Sequence, residues 1–322
     1  MNRFMKYLAP VVALLLGAVL IFGQDMFSGS QINLLTNALL LVSVGVTWNL
    51  VAGIGGQFSL GHAIFIGVGA YATAIFVKEL GWPVPVAALF AAVVSAAVGV
   101  ILAYPMLRLR GPYFAIGTLA LSLAVLGWMV NWEFTNQSQA YSLPIAALPS
   151  LDELLTYATL LAVVSFIAVW AVVNSAFGLR LVALREDEAG AISLGVRRTA
   201  NLIPMWALTT FLTGLVGAVF GLQRGSLDPG SAFGVQFTID AIVVTVIGGI
   251  GTLVGPVLGA ILVFVLRQFA DAFDAWALLI EALVVIVFVR FIPGGLVGLF
   301  GSIWERVGRR RIAASQRNSS ST

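Results

Sequence analysis

The sequence predicts an all-α, polytopic helical membrane protein of about 8–10 transmembrane segments, with a pair of short or re-entrant helices near 237–267. Three observations carry that prediction. Hydrophobic residues make up 60% of the 322, with 34 glycines besides, whereas a soluble domain has about 45–50% on the count that includes glycine. Charged residues make up 10%, where about 25% is usual, and so few cannot cover a water-facing globule of this size. Mean hydropathy is +1.03, and apolar runs long enough to cross a hydrocarbon core recur along the chain.

A core of about 30 Å needs about 20 helical residues. Runs of that kind fall at 7–23, 32–54, 58–77, 84–104, 112–130, 153–175, 201–222 and 276–292. The stretch 237–267 is nearly all apolar, too long for one ordinary span and too short for two. Its middle is Gly248-Gly249-Ile250-Gly251, followed by Gly255-Pro256. Two half-length helices, or a re-entrant hairpin, fit that length. Broken backbone at membrane depth is tolerated only under a cover of protein or along a water-filled path.

The cations order these spans. With the N-terminus inside, 14 of the 17 Lys and Arg fall on the cytoplasmic side, which the positive-inside rule demands. Lys78, Arg224 and Arg267 are the three left over. Both termini are then expected in the cytoplasm of a cell (inner) membrane protein. Trp82, Trp128, Trp132, Trp276 and Trp304 fall near span ends, as an aromatic belt should. The first span lacks a small-x-small cleavage site before Gln24 and reads as a retained anchor. The expected division is a permease-like membrane domain over 1–308, with an inner loop at 178–197, and a disordered basic, Ser-rich cytoplasmic tail over 309–322. The longest outer loop, 131–152, carries Asn131, Glu133, Asn136 and Gln137, and reads either as a docking surface or as a plain solvated connection.

Several chemistries are excluded. There is no cysteine, hence no disulfide and no thiol chemistry. A single histidine, His62, rules out a His-rich metal site. The only lysines, Lys6 and Lys78, follow Met5 and Val77, so no Gly-Lys-Ser/Thr phosphate loop exists. No cofactor, metal, catalytic residue or nucleic-acid partner is expected.

Three segments interrupt the apolar pattern. In Asn49-Leu50-Val51-Ala52-Gly53-Ile54-Gly55-Gly56-Gln57-Phe58-Ser59-Leu60-Gly61-His62-Ala63, the apolar sequence breaks into Gly, Gln, Ser and His where water is scarce. Gln57, Ser59, Gly61 and His62 read either as a pathway-lining break or as a tight turn with packing residues. In the second, Gly251, Gly255 and Gly259 at spacing four read as one close-packing helix face, and Gly248, Gly249 and Gly251 as a flexible gate. The third is the inner loop Gly178–Gly195 with its acidic run Glu186-Asp187-Glu188. A short helix starting at that run gains from carboxylates at its positive end, and Gly195 suits its stop. Ala189, Ile192 and Leu194 would give it an apolar stripe, a knob for a cytoplasmic partner or a face on membrane lipid.

These segments resemble the permeases of branched-chain amino acid ABC transporters, in the LivM-like branch of the LivH/LivM family. The matching stretches are Gly56–Ala63, Leu107–Ile116, Gly178–Gly195, Ile247–Pro256 and Pro293–Gly298, in the family's order. The same branch includes urea and short-chain amide permeases. The resemblance implies an importer of branched-chain, hydrophobic amino acids. Its partners would be a second, LivH-like permease, two cytoplasmic ABC ATPases and an extracytoplasmic amino-acid-binding protein. It implies that 178–197 is the coupling element on the ATPase, with Arg180, Arg185, Glu186, Asp187, Glu188, Ala191, Leu194 and Gly195 as its residues. The family's Glu-Ala-Ala and Gly pattern is only loosely kept: Glu188-Ala189 is followed by Gly190, and Gly195 sits one place late.

Asp240 and Glu281 lie inside spans, and intramembrane ionisable groups are functional candidates. Each reads as a hydrated or partner-satisfied carboxylate, or as part of substrate passage. An ion-coupled secondary transporter using them unaided is the competing reading.

Overall fold

The computed structural model describes residues 3–135, 137–270, 277–292 and 294–299; the tail 309–322, Asn136, Trp276, Pro293 and Trp304 lie outside them. The described chain is helical but for one two-residue ribbon. Helices α1 (Arg3–Phe22), α2 (Gly29–Asn49), α3 (Ala63–Lys78), α4 (Val84–Met106) and α5 (Pro112–Val130) come first. After them come α6 (Leu151–Val173), α7 (Ala176–Glu186), α8 (Glu188–Ser193) and α9 (Arg198–Arg224). The last group is α10 (Pro229–Ala232), α11 (Gln236–Gly248), α12 (Gly255–Ala270) and α13 (Ala277–Phe291). Among the described residues, six stretches are long and apolar enough to cross a membrane, and three shorter apolar helices accompany them.

Local chemistry explains where these helices start. Ser28 with Gln31 and Ser150 with Glu153 form capping boxes at α2 and α6, each satisfying donors that a helix start leaves open. Pro112 follows Gly111 at the head of α5, where a missing N–H costs nothing. Tyr141–Ser142 pairs antiparallel with Ser226–Leu227, tying the long loop before α6 to the end of α9.

Helix α2 runs through the centre, buried continuously from Ser43 to Val51 with Trp48 fully enclosed. Helix α9 packs on α3 and α4, and α2 packs on α6, α11 and α12. Small residues permit this closeness: a Cβ on Gly217 would stand 2.0 Å from Ile66 O, and one on Gly69 2.1 Å from Gly214 O. Where lipid offers apolar groups no worse surroundings than protein does, such close backbone packing is what holds helices together. Helices α4 and α5 turn much of their length outward.

The stretch 237–267 is a helical hairpin. Helix α11 descends, the chain turns at 249–254, and α12 returns against it. A Cβ on Gly259 would meet Val244 O at 1.8 Å, so that glycine sets the α11–α12 distance. The expected face of Gly251, Gly255 and Gly259 is corrected here. Gly251 has φ +77 and precedes α12, so it belongs to the turn, with Gly249 at φ +124 beside it. Residues with side chains seldom adopt either angle, which is why the turn is glycine-rich.

Candidate functional site: two backbone breaks under one arginine

Two interruptions of helix meet at one end of the bundle. Past Asn49, α2 loosens into a π-turn at Leu50–Ile54, with Gly55 N donating to Leu50 O at 2.9 Å. Such turns often mark functional positions. The chain then runs without regular structure to His62. The hairpin turn 249–254 sits beside this break. Asn49, 1% exposed, clamps them: Gly251 N donates to Asn49 Oδ1 at 2.8 Å, and Asn49 Nδ2 donates to Thr252 O at 2.8 Å.

Arg185, near the C-terminus of α7, lies over both. Its Nη1 donates to Gly53 O. A Cβ on Gly56 would come 2.7 Å from Arg185 Cγ, and one on Gly251 2.9 Å from its Nη1. Both glycines therefore leave room for that side chain. The guanidinium also pairs with Glu186.

The rest of the 178–197 element is held by its own charges. Asp187 caps α8, accepting from Gly190 N at 3.0 Å. Glu188 bridges Arg110, on the α4–α5 loop, and Arg198, at the start of α9, at 3.1 Å each. Arg198 in turn donates to Leu107 O. Ala191 is buried and seats α8 inward, while Gly195 ends the turn at φ +90. Arg180 is exposed, with its Nε donating to Ala176 O at 3.1 Å. Leu179, Ile192 and Leu194 point outward, Leu194 at 87% exposed. The elbow thus has a bonded inner side and an outer side where Leu179, Ile192 and Leu194 stand exposed beside Arg180 and Glu186.

The other sequence-flagged residues fall into place around it. Ser59 and His62 are buried behind the break; Trp48 Nε1 donates to Ser59 O at 2.9 Å. His62 packs among Phe65 and Trp206. Gly61 lies against Thr118, where a Cβ would stand 2.7 Å from the carbonyl oxygen, and Gln57 is half-buried. Gly248 and Gly249 join the turn. Asp240 is elsewhere, eight residues up α11 from Gly248, or about 12 Å at the helical rise. Its carboxylate accepts from Arg267 Nη2 at 2.6 Å and from Gln236 Nε2 at 2.9 Å. Glu281 falls on α13, and its side chain lies outside the described residues.

Sequence reasoning missed Asn49, Arg267, and the Arg110 and Arg198 partners of Glu188. For Arg267 a signal existed, since the charge count left it on the far side next to an unexplained intramembrane acid. Asn49 bonds residues 202 and 203 positions away, which no local pattern reveals.

Residues 30–289 match the family model described as the permease component of the branched-chain amino acid transport system. The high-affinity branched-chain amino acid transport system permease protein LivM of Salmonella typhimurium is 27% identical over 302 residues, covering 84% of this chain and 71% of its own. LivM of Escherichia coli K12 is 27% identical over 306 residues, with the same coverage. The autoinducer 2 import system permease protein LsrC of Yersinia pseudotuberculosis (strain PB1/+) is 28% identical over 227 residues, covering 69% of this chain and 59% of its own. No solved structure gives a significant match. The match takes in both breaks, the hairpin and the elbow, and the chain belongs to the family of branched-chain amino acid transport permeases, as an all-α integral membrane protein.

Proposed function

We propose that this chain is one permease half of an ABC importer for branched-chain, hydrophobic amino acids. A LivH-like permease would complete the path, two cytoplasmic ABC ATPases would drive it, and an extracytoplasmic amino-acid-binding protein would load it. The observation that carries this reading is the double character of the α7–α8 elbow. Its outer side offers Leu194 and Ile192 to a partner, while on its inner side Arg185 bonds one backbone break and lies against the other. A push on the elbow would therefore reach the hairpin turn through one side chain. Arg108, Arg110, Arg180, Arg185, Arg197 and Arg198 gather at this end, which supports assigning it, with both termini, to the cytoplasm of the inner membrane. The opposite end presents Phe134 and Ile145 in the folded 131–150 loop, a surface suited to the binding protein.

Reconstituting the whole complex tests this. Glu188→Arg, which places a cation between Arg110 and Arg198, should hydrolyse ATP while losing leucine uptake. Gly195→Leu, forced into φ +90, should do the same. Undiminished uptake in both variants would remove the coupling assignment. Labelled leucine uptake should be competed by isoleucine and not by urea; the reverse pattern would make the cargo a urea-like amide.

A further inference from the structure

At the end of the bundle remote from α8, a cavity of about 530 Å3 opens around the Asp240–Arg267 pair. That lies within the about 300–1,000 Å3 of small-molecule sites. Its wall has two characters. Leu41 and Val44 of α2, Phe220 of α9 and Phe264 of α12 form an apolar side. Asp240, Arg267 and Arg224 form a charged side. Arg224 lies over the Phe220 ring at 5.4 Å, so charge and apolar surface meet along one edge.

The pairing of Asp240 with Arg267 restricts what can bind. A lone anion that draws Arg267 away leaves the Asp240 carboxylate, its side chain 14% exposed, without its cation, which is costly. A zwitterion avoids that cost. Its carboxylate takes Arg267 while its ammonium takes Asp240, so one ion pair is exchanged for two and no charge is left bare. An aliphatic substituent then falls on the apolar side. A neutral amide can make no such exchange.

We propose that this cavity is the transit site for the cargo, a free hydrophobic α-amino acid held as a zwitterion between Arg267 and Asp240. The proposal rests on the importer reading above and names the part of this chain that recognises the cargo. Arg267 and Asp240 bind the charged ends; Leu41, Val44, Phe220 and Phe264 select the side chain.

The test uses proteoliposomes holding the complete transporter with its binding protein, and labelled leucine and alanine as probes. Asp240→Asn and Arg267→Gln should each lower leucine uptake by about tenfold or more, because each removes one of the two anchors of the zwitterion. The double variant keeps a polar bridge, yet it too should fall, because the zwitterion has lost both anchors. Leu41→Trp fills the apolar side and should shift the leucine-to-alanine uptake ratio about tenfold toward alanine. A purely architectural ion pair gives a different pattern: the double variant imports leucine at the wild-type rate, or the ratio stays put when Leu41 is enlarged. Either result overturns the site and leaves the importer reading standing. If the double variant does not assemble, the Leu41→Trp ratio alone decides. Wild-type complex that imports no leucine overturns both.

Discussion

Asn49→Leu isolates the joint between the two backbone breaks. The substitution keeps the shape of the side chain and removes its polar atoms. It deletes two part-buried bonds of 2.8 Å and leaves Gly251 N–H and Thr252 C=O without their partner. A buried group so stranded costs about 1–3 kcal/mol. Taking the lower half of that range for each, because the turn can relax, opening of the hairpin tip becomes easier by about 2–4 kcal/mol. Every 1.4 kcal/mol is a factor of ten, so the open population rises about 30- to 700-fold. The chain has no cysteine of its own, which makes a single-site reporter clean. Ala260→Cys places a thiol on α12 at a position 1% exposed, facing α11. Maleimide labelling of that thiol, in detergent and at a rate limited by opening, should accelerate by the same factor in the Asn49→Leu background. Asn49→Asp, which still accepts from Gly251 N, should accelerate it less. A labelling rate within about threefold of the parent would refute the clamp, since that is under 1 kcal/mol.

Arg185→Gln removes a charged donor to Gly53 O, a bond worth about 1.5–3 kcal/mol. The assembled complex should keep hydrolysing ATP with at least about tenfold less leucine moved per ATP, measured by paired uptake and phosphate release. Gly259→Val puts a Cβ 1.8 Å from Val244 O, which α11 and α12 cannot both accommodate; it should not accumulate as a monodisperse species in gel filtration. Gly127→Ala, with nothing within 4 Å of the new methyl, should accumulate like the parent. The Asp228 carboxyl is held below the usual carboxylate range, first by the Ser231 hydroxyl at 2.7 Å, with burial opposing. A depressed folded value means its contribution is present above the unfolded value of about 3.9 and is lost as pH falls through the folded one. Protection of a thiol at Ala232→Cys, a fully buried site beside this cap, should therefore drop at acid pH with Asp228 present and stay flat in Asp228→Asn.

The helices were legible wherever length and apolarity did the work. The span at 112–130 coincides with α5, and 153–175 and 201–222 differ from α6 and α9 by two or three residues at each end. The hairpin was legible because a nearly all apolar stretch of 31 residues fits neither one span nor two, and Gly248-Gly249 marked the break. The start of α3 was misplaced at 58. Residues 58–62 are apolar enough to extend the run, but they bond elsewhere: Ser59 O to Trp48 and Leu60 N to Thr118 Oγ1. Helix α7 was unforeseen. Its apolar and basic residues mix without a clear stripe, and it forms because Ser175 caps it and Leu181 and Leu184 bury against the bundle. In the elbow, the acidic run announced the start of α8, yet the role of Glu188 was hidden: its partners, Arg110 and Arg198, stand on other elements. Charges and glycines mark where backbone changes course, and the leftover Arg267 hinted at Asp240, while the bonds of Asn49 and the partners of Glu188 leave no trace in one chain.

The central claim is that the motor belongs to other chains. Leucine uptake into proteoliposomes should be compared for this chain with its partner permease alone and for the same pair with the ATPases, binding protein and ATP. The account expects no uptake above empty vesicles in the first case and ATP-dependent accumulation in the second. Accumulation without the ATPases, driven by an ion gradient and abolished by Asp240→Asn, would contradict it.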